Sequence, residues 1–314
     1  MRLLLRLALL TLAIVFALVG VEYAARFSLR NVKTSGNATD FITAHNPAPP
    51  IVNNSLGFRE REIPPKQGDR YRIAVVGDSF TWGQGVEAEE RFSNRIESFL
   101  GPAYEVFNFG RPGNNLPEHL DVLRQALPIA PDFVLLQLYI NDFETAVMKR
   151  PQPRPLLPRE TDRSFRRRFV TYDLLSKQWA LLQETVGLCE SYPGYMARNL
   201  LDPHAPNAIE TMASLRRIVD ETAAAGVPMG IVIFPAYDRM GPRGAHYPFG
   251  YLHDRIKVFC TDTKTPCLDL LPVLSQVPDP RTLWVSPFDA HPSAATHRLA
   301  AREIVTRFGP VWHR

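Results

Sequence analysis

The chain has 314 residues, 45% of them hydrophobic and 22% charged, which supplies enough apolar material for one large or two modest globular domains. A net charge of +4 is too small a basic excess to argue for a nucleic-acid partner. The sequence contains no zinc-like Cys/His spacing, Walker loop or internal repeat, so it calls for no metal or cofactor, and three cysteines exclude a disulfide-dense scaffold but not one bridge.

Residues 1–27 read as a membrane anchor or signal segment. Arg2 and Arg6 precede a continuous apolar block over 7–21, a shape shared by secretory signals and short membrane spans. A small-x-small cleavage site is missing, because Glu22 or Tyr23 takes the inner position for cuts after Ala24 or Ala25. The block is therefore expected to be an uncleaved anchor. Its leading arginines favour a cytoplasmic N-terminus and an exported domain, with Arg26 and Arg30 opposing. Residues 28–70, rich in Asn, Pro, Ser and Gly, read as a tether.

From residue 71 the pattern alternates strand and helix. Ile73-Ala74-Val75-Val76 is an unbroken apolar run, as expected of a strand buried on both faces. Gly77 and Asp78 end it, and Ser79 falls at its carboxyl end, where open α/β sheets bind ligands. A hydroxyl there, beside the N–H groups of a following turn, is well placed to attack a carbonyl. The plainer reading is a serine that caps a helix. A helix is expected over 87–100, ended by Gly101-Pro102, then a strand over 104–109 leading to Gly110. Next come a helix over 117–127 and a fully apolar strand over 133–138, just before Asn141-Asp142. Three strand ends thus each deliver a candidate site group: Ser79, Gly110 and Asn141.

An inserted, lid-like segment at about 143–206 interrupts the rhythm. Over 149–168, prolines alternate with arginines from Arg150 to Arg168, and this run reads as a solvated loop. The sharper alternative is a rim that contacts anionic lipid headgroups or an acidic glycan. An amphipathic helix is expected over 172–186. The alternation resumes with a helix over 208–225, a strand over 227–234 and a helix over 251–259. A short strand over 267–271 and a closing helix over 293–308 complete it. The fold class is α/β: one doubly wound (flavodoxin-like) parallel sheet with helices on both faces, over 71–314.

Four short motifs carry a family resemblance. Gly77-Asp78-Ser79-Phe80-Thr81, with Gly83, Gly85 and Val86 behind it, resembles the first block of the SGNH (GDSL) hydrolases. Asn108-Phe109-Gly110 with Arg111-Pro112-Gly113-Asn114-Asn115 resembles the second block, and Tyr139-Ile140-Asn141-Asp142 the third. Asp289-Ala290-His291-Pro292-Ser293 resembles the last, and all four stand in the family's order. Asn54-Ser55-Leu56-Gly57-Phe58-Arg59 is similar to a segment that often precedes the catalytic domain in membrane-anchored bacterial members. The likeness covers roughly 54–314.

The resemblance implies the SGNH-hydrolase fold and a serine esterase or acyl-ester transferase of the cell envelope, acting on acylated carbohydrate or lipid. Ser79 would be the nucleophile, His291 its base and Asp289 the group that orients the imidazole. The N–H groups of Ser79 and Gly110 and the Asn141 amide would stabilise the oxyanion. One departure stands out: the family's commoner pattern is Asp-x-x-His, whereas Phe288 holds the −3 position here and the carboxylate lies at −2. That puts the distance from Asp289 to the ring at issue, not the identity of His291. His246, His253 and His297 lack the following Pro-Ser and read as structural or surface groups. The domain would be periplasmic on an inner-membrane anchor, or secreted if the segment is cleaved. In that oxidising space Cys260 and Cys267, at facing ends of a predicted helix and strand, are expected to pair, leaving Cys189 free. A non-catalytic envelope binding or assembly protein is the competing class, and joint retention of Ser79, Gly110, Asn141 and His291 counts against it. An α/β-hydrolase is disfavoured, since Gly-x-Ser-x-Gly is absent around Ser79.

Overall fold

A computed structural model describes residues 2–30, 32, 51–66 and 68–312 of the chain. Much of the expected tether, residues 33–50, lies outside the described residues. The first helix is α1 (Arg2–Leu29), followed by β1 (Tyr71–Gly77), α2 (Phe92–Leu100), β2 (Tyr104–Gly110), α3 (Leu116–Ala126) and β3 (Phe133–Leu138). Then come α4 (Arg159–Arg168), α5 (Val170–Thr185), α6 (Tyr192–Leu200), α7 (Pro206–Ala224), β4 (Met229–Ile233), α8 (Gly250–Thr263) and β5 (Cys267–Asp269). A ribbon of β6 (Trp284–Ser286) and β7 (Asp289–Pro292) leads into α9 (Ala294–Trp312). The chain divides into two units: Met1–Ala48 with Pro151–Ser191, and Pro49–Arg150 with Tyr192–Arg314.

The larger unit is built on a five-stranded sheet of order β2-β1-β3-β4-β5, parallel throughout. Side chains alternate across a strand, so an unbroken apolar run supplies both faces at once. Ala74, Val76, Val134 and Leu136 join one core cluster with Leu120 and Leu123 of α3 and Leu215 and Ile218 of α7. Their neighbours Ile73, Val75, Phe133 and Leu135 join the opposite cluster with Phe92 and Ile96 of α2 and Ile304 and Phe308 of α9. The sheet is therefore doubly wound. β1 lies between β2 and β3, so its carboxyl end is flanked on both sides.

The lead-in segment belongs to this unit. Asn54 Oδ1 accepts from the N–H groups of Leu56 and Phe58, both at 3.1 Å, and Gly57 turns the chain at φ 80°. The turn buries Phe58 edge-on against Phe109, ring centroids 4.8 Å apart. Glu60 then accepts the N–H of Asn108 at 2.9 Å, on the outer strand β2.

The smaller unit pairs the end of α1 with α4 and α5. The arginine-rich stretch expected to be a loop is helical over Arg159–Arg168: its prolines all precede the helix, Glu160 and Asp162 sit in the first turn and Arg166, Arg167 and Arg168 in the last, and buried Asp162 accepts from Tyr172 Oη at 2.8 Å, anchoring it to α5. Glu22 of α1 caps α5: its carboxylate accepts from the N–H groups of Val170 and Thr171, each at 3.0 Å, and from Thr171 Oγ1 at 2.6 Å. Val170 is buried against Ala25, Leu29, Val32 and Leu174.

Cys260 and Cys267 stand next to one another as thiols, and Cys189 is also a free thiol. Hydrogen bonding to Cys260, then burial, pushes the Cys267 thiol pKa well up.

His297 supports the larger unit from inside. Its Nδ1 accepts the N–H of Phe92 at 3.2 Å, satisfying one orphan donor at the start of α2. Burial, with Arg91, His291 and Arg59 adding to it, holds its pKa down at about 3. The unfolded imidazole binds its proton below about 6.5, while the folded one stays neutral until about 3. Stability conferred by the neutral ring is therefore present above pH 6.5 and lost as pH falls towards 3. Denaturant unfolding across that window should show the loss, and His297→Gln should flatten the slope by about one proton.

Candidate active site

β1 ends at Gly77, and the chain enters a single helical turn, Ser79–Trp82, without an intervening loop. Asp78 caps it, Oδ1 accepting the N–H of Phe80 at 2.9 Å, and Gly83 closes it in the left-handed region at φ 80°. Both flanking strands hold the turn. Gln137 of β3 accepts three donors on Oε1: the N–H groups of Asp78 and Thr81, each at 3.2 Å, and Thr81 Oγ1 at 2.7 Å. Asn108 of β2 donates from Nδ2 to the Thr81 carbonyl at 2.5 Å and to Ser93 Oγ at 2.8 Å. Arg59 secures the loop beyond the turn. Its guanidinium lies over the Trp82 ring and donates to the carbonyls of Gly83 at 2.8 Å and Val86 at 2.9 Å.

His291 and Asp289 arrive from the far end of the chain on β7. On a strand, residues two apart share a face, whereas on a helix they lie roughly 200° apart. The Asp-x-His spacing thus works because the segment is extended. His291 Nδ1 lies 2.6 Å from Asp289 Oδ1, and Nε2 lies 3.1 Å from Ser79 Oγ. Both contacts are satisfied when Nδ1–H donates to the carboxylate and Nε2 accepts from the hydroxyl. Phe80 stands edge-on to the imidazole at 5.6 Å and is in turn 4.3 Å from Tyr139.

The expected oxyanion donors divide. No hydrogen bond ties up the Ser79 N–H among the described residues. Asn141 lies in a 3-10 turn, Ile140–Phe143, and its buried Oδ1 has no partner. Gly110 does not fit the role expected of it. Its N–H donates to Asn108 Oδ1 at 2.9 Å, and a Cβ there would stand 2.2 Å from the Trp82 nitrogen, so this glycine is required by backbone packing. Gly113, in the same loop, is exposed at φ 80° with nothing within 4 Å of a Cβ position, and no internal acceptor takes its N–H among the described residues. Its signal in the sequence was its place in the Arg111-Pro112-Gly113-Asn114-Asn115 run.

Buried titratable groups lie beneath the turn, and one of them, His119, stands in no motif. His119 Nε2 and Asp142 Oδ1 are fully buried 3.2 Å apart, off hydrogen-bond alignment. His253 is likewise buried, bridging Asp269 at 2.8 Å and Tyr247 at 3.0 Å, a structural use. Asp78 is fully buried as well. Burial first, then the Asp142 carboxylate, raises its pKa to about 7.

Two tests follow from this geometry. Between about pH 4 and 7 folded Asp78 holds a proton that the unfolded chain releases, so the stability it contributes declines as pH rises through that window. Asp78→Asn keeps the capping oxygen without the titration, and its stability relative to wild type should increase from pH 5 to pH 8 in urea unfolding; a constant difference would count against a protonated Asp78. Separately, Gly110→Ala should cost about 3 kcal/mol or more through overpacking, whereas Gly113→Ala should cost roughly 1–2 kcal/mol for its left-handed backbone.

A family model described as the GDSL-like lipase/acylhydrolase family matches residues 75–299. An acetylxylan esterase of Xylanibacter ruminicola is 29% identical over 96 residues, which cover 28% of this chain and only 20% of that relative's length. The crystal structure of TesA covers 76% of this chain and 99% of its own at a TM-score of 0.47 and 15% identity. The lipase/acylhydrolase from Enterococcus faecalis covers 77% and 96% at a TM-score of 0.47 and 14% identity.

Proposed function

Because the chain belongs to the GDSL-like lipase/acylhydrolase family and is an ester hydrolase by that membership, we propose that it cleaves its ester through Ser79, with His291 as base and Asp289 as orienting group. The observation that carries this reading is the continuous Asp289–His291–Ser79 contact chain, at 2.6 and 3.1 Å. Ser79 Oγ attacks the acyl carbonyl while His291 Nε2 takes its proton, and Asp289 stabilises the imidazolium. His291 returns the proton to the departing alcohol, leaving an acyl group on Ser79. Water resolves that intermediate in hydrolysis; a sugar hydroxyl would resolve it in transfer. The Ser79 N–H, the Asn141 amide and, in place of Gly110, the Gly113 N–H are the donors assigned to the oxyanion.

The substrate class we propose is an O-acylated, notably O-acetylated, glycan or lipid of the cell envelope. The name of the acetylxylan esterase relative favours an acetylated carbohydrate. An envelope location is supported by α1, whose Leu9–Leu29 stretch has a mean hydropathy of 1.8 and none of its length buried. Retention of α1 as an anchor is supported by Glu22, which cleavage after Ala24 or Ala25 would remove from the start of α5. In the oxidising space this implies, Cys260 and Cys267 would close as a disulfide.

Ser79→Ala and His291→Ala should each lower turnover of an acetyl ester by several orders of magnitude, and the double variant should lose little more. A fluorophosphonate probe should label wild type and not Ser79→Ala. Labelling that survives the substitution would overturn the assignment, and absence of labelling and turnover in well-folded wild type would favour the non-catalytic binding protein. For location, the full chain should stay with membranes through alkaline extraction. A mature chain starting near Ala25 would identify a cleaved signal, and peptides carrying separately alkylated Cys260 and Cys267 would rule out the bridge.

A further inference from the structure

The smaller unit has a surface that its own packing leaves uncovered. Along α5 the side chains Leu175, Trp179 and Leu182, continued by Val186 just past the helix, recur at i, i+4, i+7 and i+11, the spacing of one helical face. Leu175 is 60% exposed, Leu182 49% and Val186 57%. On the opposite side of α5, buried Asp173 is held by Arg166 at 3.2 Å and Lys177 at 2.9 Å, while Gln183, at the edge of the stripe, donates to the Arg154 carbonyl at 2.9 Å. Trp179 donates its indole N–H to the Arg154 carbonyl, so its polar end is satisfied and its ring is half-buried within the stripe.

Two further observations say what covers this face. Leu18 and Val19 of α1 line one cavity of about 530 Å³ together with Phe165, Phe169 and Leu175. The depth at which α1 lies in a membrane therefore sets the depth of those three side chains, through the Glu22 cap and the Val170 contacts that lock α5 to α1. Tyr23 and Phe27, both largely exposed, then fall where aromatic side chains anchor helices in the headgroup layer. Beside this apolar surface, α4 exposes Arg159, Arg163, Arg167 and Arg168.

We propose that α1, α4 and α5 form a bilayer-surface module that seats α5 in the boundary between headgroups and acyl chains, with the arginines of α4 on anionic phospholipid. The partner is the anionic leaflet into which α1 exits. This rests on the reading of α1 as a membrane span. The basic run is then neither a solvated loop nor a glycan rim, because its apolar companions on α5 have the chemistry of a lipid boundary.

The test uses the full chain reconstituted into vesicles of phosphatidylglycerol and phosphatidylcholine carrying bromine on the acyl chains. Co-flotation with the vesicles reads the anchor, and tryptophan quenching reads the module, so the two readings fail separately. Wild-type fluorescence should be quenched by the brominated chains, and Trp179→Phe should lose most of that quenching. Leu182→Asp should also reduce it while leaving turnover of a water-soluble ester unchanged. Quenching should weaken in vesicles of phosphatidylcholine alone and with Arg163→Glu/Arg167→Glu. Equal quenching in wild type and Trp179→Phe would overturn the proposal. So would a Trp179 shielded from aqueous iodide yet untouched by brominated chains, which would mean a protein surface or a second copy covers the stripe. Quenching insensitive to lipid charge and to the arginine substitutions would overturn the part given to α4.

Discussion

The acceptor at Gln137 Oε1 is the constraint on which the candidate site depends. It gathers the N–H groups of Asp78 and Thr81 and the Thr81 hydroxyl, and it does so from the strand beside β1. A turn of only four residues has no helical cooperativity of its own, so something outside must hold it. Gln137 holds it from β3 and Asn108 from β2, which is possible because β1 lies between those strands. The dependence is mutual. A fully buried amide oxygen costs free energy unless it is bonded, and the turn supplies its donors. Gly77 and Gly110 complete the arrangement by letting backbone and clamp approach more closely than any Cβ would permit.

His291 reaches this turn by a different route. His291 lies 212 residues beyond Ser79, on a two-stranded ribbon outside the main sheet. The ribbon is tied to the start of α9, where the Ser293 N–H and Thr296 Oγ1 both donate to the Leu283 carbonyl, at 2.8 and 2.9 Å. α9 is docked on α2 through His297 and Phe92. The imidazole position is thus inherited from helix packing on the sheet, and one buried histidine, His297, helps to place the one that faces Ser79.

The lead-in segment shows how a short motif far from the chemistry earns its place. Glu60 satisfies a donor on the outer strand, while Arg59 threads to the loop that leaves the Ser79 turn. An outer strand otherwise presents unpaired backbone groups, and a glycine-rich loop otherwise has little to order it. In the other unit, Glu22 does comparable work at the start of α5. A carboxylate at the end of an apolar block is costly in isolation, and the helix N-terminus offsets that cost.

The strands and their direction were legible in the sequence because apolar runs bounded by glycine and proline encode burial locally: Ile73 to Val76 and Phe133 to Leu138 needed no partner to be recognised. That Ser79 and His291 could meet was legible too, since each belongs to a short motif, one at a strand end and one before a helix. Other features depended on contacts between distant residues. That Gly110 is a packing glycine follows from Trp82 standing against it, 28 positions earlier in the chain, and composition holds no trace of that approach. The helicity of α4 was locally encoded but masked by the prolines of the same run, all of which precede Arg159, and the Asp162–Tyr172 contact then ties that helix to α5. Whether Asp289 reaches the ring depended on the backbone being extended, which the pairing of β7 with β6 decides. Sequence determines what each segment can bury; only tertiary structure decides which donor is already spent.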